Sequence, residues 1–407
     1  MEFDIRPVGD DELPAFARAV DTAFGIHATD EMVAHMRSMV ELDRSLAVVD
    51  DGAVVAGAAA LSFELTLPGL TTVPVAAVTE VGVLPTHRRR GMLTALMRRQ
   101  LDDVAERGEP VAVLGASEGA IYGRFGYGIA AMSTSVEIET AAGARAAPPA
   151  GGGRLRFVDD GEMGAVLPDI HDRYRVLQPG EVSRTDRWWD AFLLDPELFR
   201  GDASARFAVV YDDGEGAGYV TYRMKVDWLR DEEHTLLVED MVATTAEARR
   251  ALWQYCLGVD LVSAVRAQNV PVDDPFPWTL PDPGRFRVTG LYDLLWLRLV
   301  DVPVALAARR YGGEGRIVFE VTDRFRPAAA GRYRLDTAAD GGECGRTAAD
   351  DPDLALEVAD LGAAYLGGVR FSTLAGAGRV AELRPGALGR ADALFASTPL
   401  PWCSTDF

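Results

Sequence analysis

The stretch VGVLPTHRRRGMLTAL, residues 81–96, joins a strand pattern, a turn and a helix pattern. Its first residues complete an apolar strand pattern, a turn with three arginines and a glycine follows, and an amphipathic helix pattern then begins. Such a turn leaves backbone N–H groups unpaired at the positive end of a helix dipole, where an anion is stabilised. Gly91 lets a bulky diphosphate approach the backbone, and Arg88, Arg89 and Arg90 add positive charge. The stretch predicts an anion-binding strand–turn–helix unit, with a solvated arginine turn as the alternative.

Residues 1–140, which surround this stretch, alternate between strand and helix patterns. The segment FDIRPV predicts a strand, DDELPAFARAVDTAF a helix, and Asp51-Gly52 the turn of a hairpin. VPVAAVTEVGVL predicts another strand, and RGMLTALMRRQLDDVAERG a helix that ends at Gly108. PVAVLGA is short and wholly apolar, as a buried parallel strand is.

Two seams divide the rest of the chain. The first is the linker AAGARAAPPAGGG at 141–153, and the second lies near 302, where an apolar run gives way to a new helix pattern. Residues 154–301 repeat the order of the first domain, since LLVEDMVATTAEARRALWQYCL parallels AAVTEVGVLPTHRRRGMLTALM. In this second segment TTAEARRAL replaces the glycine-containing turn. We therefore predict a duplicated fold whose second copy has lost the ligand-binding turn. The alternative is a chance similarity between two strand–helix units. Residues 302–407 predict a small α+β domain, with strand patterns in GRIVFEVTD, GRYRLD and DLALEVAD.

The composition narrows the function classes. A net charge of -21 and a pI of about 4.7 argue against a nucleic-acid partner. The same charge suits a cationic small substrate, although it also serves simple solubility. Three cysteines without metal-ligand spacing predict neither a metal site nor a disulfide framework. With no leader pattern and no uninterrupted apolar span, we expect a cytoplasmic enzyme that does not bind membranes.

A second motif, SEGAIYGRFGYGIA at 117–130, places two tyrosines among four glycines. Both could be core residues, or one of them could donate a proton to a departing group. A tyrosine, with a reference pKa of about 10, stays protonated at neutral pH and is able to donate that proton. In the pattern Tyr-x-x-x-Gly-aromatic, Tyr122 takes the donor position and Tyr127 the position of a core aromatic.

Four segments together resemble the Eis family (enhanced intracellular survival), bacterial acetyltransferases related to the GCN5 type (GNAT). They are VGVLPTHRRRGML, ASEGAIYGRFGYG, LLWLRLVDVPVALAARRY and FASTPLPWCSTDF. The spacing Arg88-x-x-Gly91-x-Leu93 is that of the GNAT coenzyme A turn, in which Gly or Ala is commoner at the position of Leu93. The resemblance implies two tandem GNAT-like domains, the second without a cofactor site, and a sterol-carrier-like third domain. It also implies an acetyl-CoA-dependent N-acetyltransferase of aminoglycosides, polyamines and lysine side chains that forms a homo-hexamer.

The resemblance also implies roles for individual residues. The strand edge at Val81, Gly82 and Val83 would hold the pantetheine arm. The pyrophosphate would be held by the turn and the start of the helix, which are Arg88, Arg89, Arg90, Gly91, Met92, Leu93 and Thr94. Ser117 and Glu118 would lie near the cofactor. Tyr122 would be the general acid and the terminal carboxylate of Phe407 the base. An α-carboxylate, with a reference pKa of about 3.5, is a weak base unless desolvation raises its pKa or a water relays the proton.

Three more residues are predicted at the substrate, namely Phe24, Trp402 and Asp406. Ile26 and His27 stand where an acidic residue would help to bind a polyamine, so the substrate preference stays open. Two rival functions remain at this stage. The third domain could carry a lipid, or the chain could be a catalytically silent regulatory pseudo-acetyltransferase.

Overall fold

A computed structural model of the chain describes residues 3–140, 152–214, 216–227, 232–338 and 340–407. The predicted linker at 141–153 lies outside the described residues except for its last two. The chain divides into two units. The first comprises Met1–Ala131, Asp293–Pro401 and Thr405–Phe407, and the second comprises Met132–Tyr292 and Trp402–Ser404.

The first domain alternates strands and helices as the sequence predicts. Its elements are β1 (Asp4–Pro7), α1 (Leu13–Ala23), α2 (Asp30–Met39), β2 (Ser45–Asp50), β3 (Ala53–Thr66), β4 (Thr72–Val83), α3 (Met92–Glu106), β5 (Val111–Leu114), α4 (Gly119–Tyr122) and β6 (Gly128–Glu139). The hairpin turn has positive φ at both Asp51 and Gly52, which matches the twist of the flanking strands. Helix α2 was not predicted; its signal is Thr29, whose side chain accepts a hydrogen bond from the Met32 N–H.

The sheet of the first domain has the strand order β1-β2-β3-β4-β5. All neighbours are antiparallel except β4 and β5, which run parallel from Val75 opposite Val111 to Val78 opposite Leu114. The apolar stripe of α3 packs on this sheet, with Leu96, Met97 and Leu101 fully buried. The pairing of β4 with β5 stops at Val78, although β4 continues to Val83. Strands β4 and β5 therefore diverge next to the arginine-containing turn that precedes α3.

The second domain repeats the strand–helix alternation. Its elements are β7 (Arg154–Val158), α5 (Asp160–Arg175), α6 (Asp186–Leu194), β8 (Phe207–Asp212), β9 (Gly218–Asp227), β10 (Glu232–Ala243), α7 (Ala246–Gly258), β11 (Val262–Pro271) and β12 (Phe286–Leu299). The strand order is β6-β11-β10-β9-β8-β7, and β10 runs parallel to β11. The predicted repeat of the first domain is confirmed, because β10 and α7 form the same strand–turn–helix unit as β4 and α3.

The third domain is α+β, as predicted. Its elements are α8 (Val302–Ala308), β13 (Gly315–Thr322), β14 (Gly331–Ala338), β15 (Gly341–Arg346), β16 (Leu354–Glu357), α9 (Val358–Tyr365), α10 (Phe371–Gly376), β17 (Val380–Glu382) and α11 (Ala387–Phe395). The five strands have the order β15-β14-β13-β16-β17. The segment DLALEVAD, predicted as one strand, becomes helical at Val358. All eight residues of α9 are buried, and a short apolar run fits a buried helix as well as a buried strand.

Candidate active site

A cleft of about 340 Å³ lies beside the diverging ends of β4 and β5. It is lined by the strand edge, the arginine turn, the start of α3 and the segment that holds α4. The lining residues are Ala23, Phe24, Val81, Gly82, Val83, His87, Arg88, Arg89, Gly91, Met92, Leu93, Thr94, Ser117, Glu118, Ile121, Tyr122 and Arg124. Two motifs that lie apart in the sequence, residues 81–94 and 117–122, thus form one site.

The edge of β4 at Val81–Val83 faces this cleft. A bulge precedes it, since the register between β3 and β4 shifts at Gly57–Ala59 and Glu80 has a φ of +54°. A bulge bends the strand and ends regular pairing, which separates β4 from β5. On the other side α1 packs so closely on Gly82 that a Cβ there would lie 3.1 Å from Ala23. The glycine thus lets the helix approach the strand, while one strand edge stays open to a ligand.

The start of α3 has the backbone features that an anion site needs. Gly91 is the N-cap with a φ of +91°, a conformation that L side chains rarely adopt, and it carries no side chain to cap the helix. The first N–H groups of α3 therefore receive no side-chain cap from it, and they sit at the positive end of the dipole. The residues present fit a diphosphate group.

The three arginines of the turn differ in their partners. The guanidinium of Arg88 donates to the Ala23 carbonyl oxygen at 2.7 Å and to the Val83 carbonyl oxygen at 3.3 Å, which ties the turn to α1 and β4. Arg90 pairs with Asp50 at 3.1 Å and does not line the cleft. Arg89 has a φ of +62° and pairs with no carboxylate among the described residues. Arg89 is thus the arginine with the most charge available for a ligand.

Tyr122, at the C-terminus of α4, is 7% exposed and borders the cleft. Burial, and secondarily the charge of Glu118, raises the pKa of its phenol, so the group keeps its proton at neutral pH. Tyr127 packs edge-to-face on it with ring centroids 6.1 Å apart. It is fully buried, and burial raises the pKa of its phenol as well; its hydroxyl has no hydrogen-bond partner among the described residues. One tyrosine therefore faces the cleft and the other lies in the core.

The remaining predicted residues lie away from the lining of this cleft. The Phe407 ring packs edge-to-face on Phe63 of β3, with centroids 5.8 Å apart, so the last residue belongs to the same unit as the cleft. Although part of the Asp406 side chain is exposed to solvent, the protein around it removes enough water to raise the pKa of its carboxyl. Trp402 is 2% exposed in the second unit, where its indole donates to Asn269 at 2.7 Å.

Sequence reasoning missed Glu80, the residue at the bulge. Burial, and secondarily the charge of Asp21, raises the pKa of its carboxyl to about 7. Burial raises the pKa of Asp21 on α1 as well. The signal in the sequence is a single acid inside the apolar strand VPVAAVTEVGVL, but its loss of water follows only from the packing of α1 on β4.

Two further findings concern the described residues as a whole. Within them, no group of three or more His, Cys, Asp or Glu side chains is placed to hold a metal ion. No described helix combines the length and the apolar character needed to cross a membrane.

Comparison with known families defines the class of the molecule. Residues 4–130 and 180–299 match two families described as acetyltransferase (GNAT) domains. Residues 302–404 match a sterol carrier protein domain. Two GNAT domains and a C-terminal sterol-carrier-type domain agree with the fold, and GNAT acetyltransferases in general take their acetyl group from acetyl-CoA.

Whole-chain relatives narrow the class to one family. An uncharacterized N-acetyltransferase of Streptomyces avermitilis is 42% identical over 100% of both chains. N-acetyltransferase Eis of Mycobacterium tuberculosis is 35% identical over 95% of both. The crystal structure of Eis1 from Mycobacterium abscessus is 39% identical, covers 99% of this chain and 100% of that one, and has a TM-score of 0.88. The chain belongs to the Eis family of N-acetyltransferases, as its sequence motifs indicate.

Proposed function

We propose that the chain transfers acetyl from acetyl-CoA to amines of cationic substrates, with Tyr122 as the general acid and the Phe407 carboxylate as the base. One observation carries this proposal. The anion-binding turn and a buried, protonated tyrosine line the same cleft of about 340 Å³. A turn alone would bind a diphosphate, and a tyrosine alone would be packing. Together they place a phosphate site and a proton donor within one ligand's reach.

The cleft residues divide the work. Val81–Val83 offers a strand edge for the amides of the pantetheine arm, and the turn with the start of α3 takes the pyrophosphate through Arg88, Arg89 and Gly91–Thr94. Bound acetyl-CoA supplies the acetyl thioester. Tyr122 Oη holds a proton and gives it to the sulfur that leaves, a role that its raised pKa suits. Ser117 and Glu118 border the cleft on the side that follows β5.

The proposed base is the α-carboxylate of Phe407. The contact of its ring with Phe63 supports this role, because it holds the residue against β3 in the unit that contains the cleft. An exposed α-carboxylate would be too weak a base at neutral pH, so the proton passes either to a desolvated carboxylate or through a water. Asp406, whose carboxyl already loses water there, would attract the ammonium group.

The substrate class follows from charge. The net charge of -21 and the carboxylates of Asp21, Glu80 and Asp406 in the first unit favour cations. Aminoglycosides, polyamines and lysine side chains are the cationic amines that we propose. Phe24, 51% exposed at the cleft, offers an apolar surface for the carbon skeleton of such a substrate. The hexameric assembly and the cytoplasmic location stay predictions.

Lipid carriage is the weaker alternative. The interior of the third domain holds aromatic rings packed on each other, with centroids 5.0 Å apart for Phe371 and Phe395 and 5.6 Å for Phe319 and Phe371. Tyr311 lies 5.3 Å from Phe395 in the same cluster. Rings in contact leave the centre of this cluster to protein rather than to an acyl chain.

Incubation with acetyl-CoA and a panel of aminoglycosides, polyamines and lysine peptides tests the proposal, with free thiol as the readout. An enzyme releases coenzyme A thiol only when an amine is present, and mass spectrometry shows the acetylated amine. A carrier or a pseudo-enzyme releases none. Absence of thiol release with every amine would rule out catalysis.

A second experiment tests the base. A few residues appended after Phe407 convert its carboxylate into an amide, so kcat should fall at least about 100-fold while acetyl-CoA still binds. The same residues appended before Met1 are the control for added length. Normal activity of the C-terminal extension would eliminate Phe407 as the base.

A further inference from the structure

The second domain repeats the strand divergence of the first. Strands β10 and β11 pair in parallel only as far as Val238 opposite Ala267, although β10 continues to Ala243 and β11 to Pro271. In the first domain the corresponding divergence borders the open cleft. In the second unit the residues beside it contact the segment Trp402–Ser404 of the same chain, which belongs to this unit.

On the β11 side Asn269 holds the segment. Its side-chain amide donates to the Cys403 carbonyl oxygen at 2.9 Å and accepts from the Trp402 indole at 2.7 Å. The Trp402 N–H also donates to the Pro179 carbonyl oxygen at 2.9 Å. Because Trp402 and Cys403 are 2% and 1% exposed, this segment is part of the domain's interior rather than a loose tail.

On the β10 side two buried charged groups hold it. The fully buried Glu181 accepts the Ser404 N–H at 2.7 Å and lies 3.5 Å from the Cys403 sulfur. Arg184 bridges Ser404 Oγ at 2.9 Å and Asp240 of β10 at 2.6 Å. A buried carboxylate with charge-assisted hydrogen bonds is costly to leave without them. These contacts therefore fix the position of Ser404.

We propose that the diverging strands of the second domain are a clamp for Trp402–Ser404, and that Glu181 is a positioning residue for the Phe407 carboxylate. The second half of this inference rests on the proposed function of Phe407. The physical reason is covalent. Only three residues follow Ser404, so the chain cannot carry the carboxylate farther than about 10 Å from a fixed Ser404. The repeated fold has exchanged a coenzyme site for a site that binds its own chain.

Thiol labelling tests the clamp without any assay of catalysis. Cys403 and Cys256 are both buried in the second unit, and Cys256 lies in its hydrophobic core. In Glu181→Ala, alkylation of Cys403 by iodoacetamide should become at least about tenfold faster, while Cys256 stays protected. The matched control is Glu247→Ala, which removes the carboxylate that accepts a hydrogen bond from Tyr211 in the same unit. It should leave Cys403 as slow as in the wild type.

Faster labelling of both cysteines in Glu181→Ala would indicate that the domain itself has opened. Asn269→Ala then decides, because it removes the contact to the Cys403 carbonyl oxygen without leaving a buried charge unpaired. Selective exposure of Cys403 in that variant supports the clamp. Protection of Cys403 in Asn269→Ala, or in a folded Glu181→Ala, overturns it.

Steady-state kinetics tests the positioning role separately. Glu181→Ala should lower kcat by about 10- to 100-fold, because a displacement of the Phe407 carboxylate by about 1 Å is enough for a loss of that size. The KM for acetyl-CoA should stay unchanged. Glu181→Gln keeps an oxygen acceptor for the Ser404 N–H and should recover most of the rate. A wild type without amine acetylation would refute the proposed function but not the labelling result. Selective exposure of Cys403 with full kcat would refute the positioning role.

Discussion

The two GNAT-type domains contain the same strand–turn–helix unit and use it in opposite ways. The N-cap of α3 is Gly91, which has a positive φ and no side chain to cap the helix. The N-cap of α7 is Thr245, whose side chain accepts a hydrogen bond from the Ala248 N–H at 3.1 Å. The first helix start is left for an anion, and the second is satisfied by its own residue. The two helix starts thus differ in one side chain, which caps α7 and is missing at α3.

Each domain also has a bulge in the strand before this turn, at Glu80 in β4 and between Val238 and Asp240 in β10, and the acids at the two bulges differ in their partners. Glu80 in the first domain has no cationic partner among the described residues, and burial raises the pKa of its carboxyl to about 7. In the second domain Glu239 pairs with Arg206 at 2.8 Å and Asp240 with Arg184 at 2.6 Å. An unpaired acid is available to a ligand, whereas paired acids hold the protein together. In the second domain the acids at the equivalent strand edge are therefore bound to arginines of the same domain.

The largest expected effect is at the tyrosine of the cleft. Tyr122→Phe removes the proposed proton donor and should lower kcat by about 100- to 10,000-fold, with the affinity for acetyl-CoA changed by less than about threefold. Tyr127→Phe is the matched control, because its hydroxyl is buried without a described partner and its loss should leave kcat unchanged. Equal losses in the two variants would contradict the division between cleft and core.

The second prediction concerns Glu80 and pH. Between pH 4.5 and about 7 the carboxyl is ionised in the unfolded chain but protonated in the folded one. The folded state then binds more protons, so the stability contribution falls as pH rises through this window. Glu80→Gln should abolish that loss and gain about 2 kcal/mol relative to the wild type between about pH 5 and about pH 8. Chemical unfolding at both pH values measures the free energy of unfolding of the variant and the wild type. A difference between the two proteins that is the same at both pH values would exclude a raised pKa of Glu80.

The third prediction ranks the arginines of the turn. Arg89→Ala should weaken acetyl-CoA binding about tenfold, because its charge is not neutralised by a described carboxylate. Arg90→Ala is the matched comparison and should cost less than about threefold, because Arg90 already pairs with Asp50. Calorimetric titration with acetyl-CoA gives both Kd values. A larger loss for Arg90 than for Arg89 would reverse our assignment.

The smallest expected effect is in the second domain. Thr245→Ala removes the cap of α7 and should cost about 1 kcal/mol of stability with no change in acetyl-CoA affinity. Thr29→Ala, which removes the equivalent cap of α2, calibrates that stability loss in the first domain. A change in acetyl-CoA affinity for Thr245→Ala would mean that the second helix start is still a ligand site.

Most of the fold was predictable because its signals are local. The period of the apolar residues predicts α3, and the parallel with that segment predicts α7. The all-apolar run at 111–114 predicts a buried parallel strand, and Asp51-Gly52 predicts a hairpin. The duplication was also visible, since the two strand–turn–helix segments align by eye. The end of β16 at Glu357 was predicted wrongly, because a short apolar run suits a buried strand and a buried helix equally well.

The candidate site was predictable only in part. The sequence, read with its resemblance to the Eis family, predicted thirteen of the residues that line the cleft, including Tyr122 and Phe24. It did not predict that Arg90 turns to Asp50, since this pairing depends on a strand some 40 positions earlier. Nor did it predict Glu80, because the loss of water at that carboxyl needs α1 to pack on β4.

The sequence by itself determined the family, the order of the three domains and the chemistry of the turn at 81–96, because periodicity, glycine and charge act over a few neighbouring residues. The tertiary structure alone decided where Trp402–Ser404 lies, which arginine keeps its charge for a ligand, and which carboxyl loses its water. Each of those outcomes depends on contacts between residues far apart in the sequence, such as Glu181 and Ser404. No local pattern encodes such a distance, so only the folded chain reveals it.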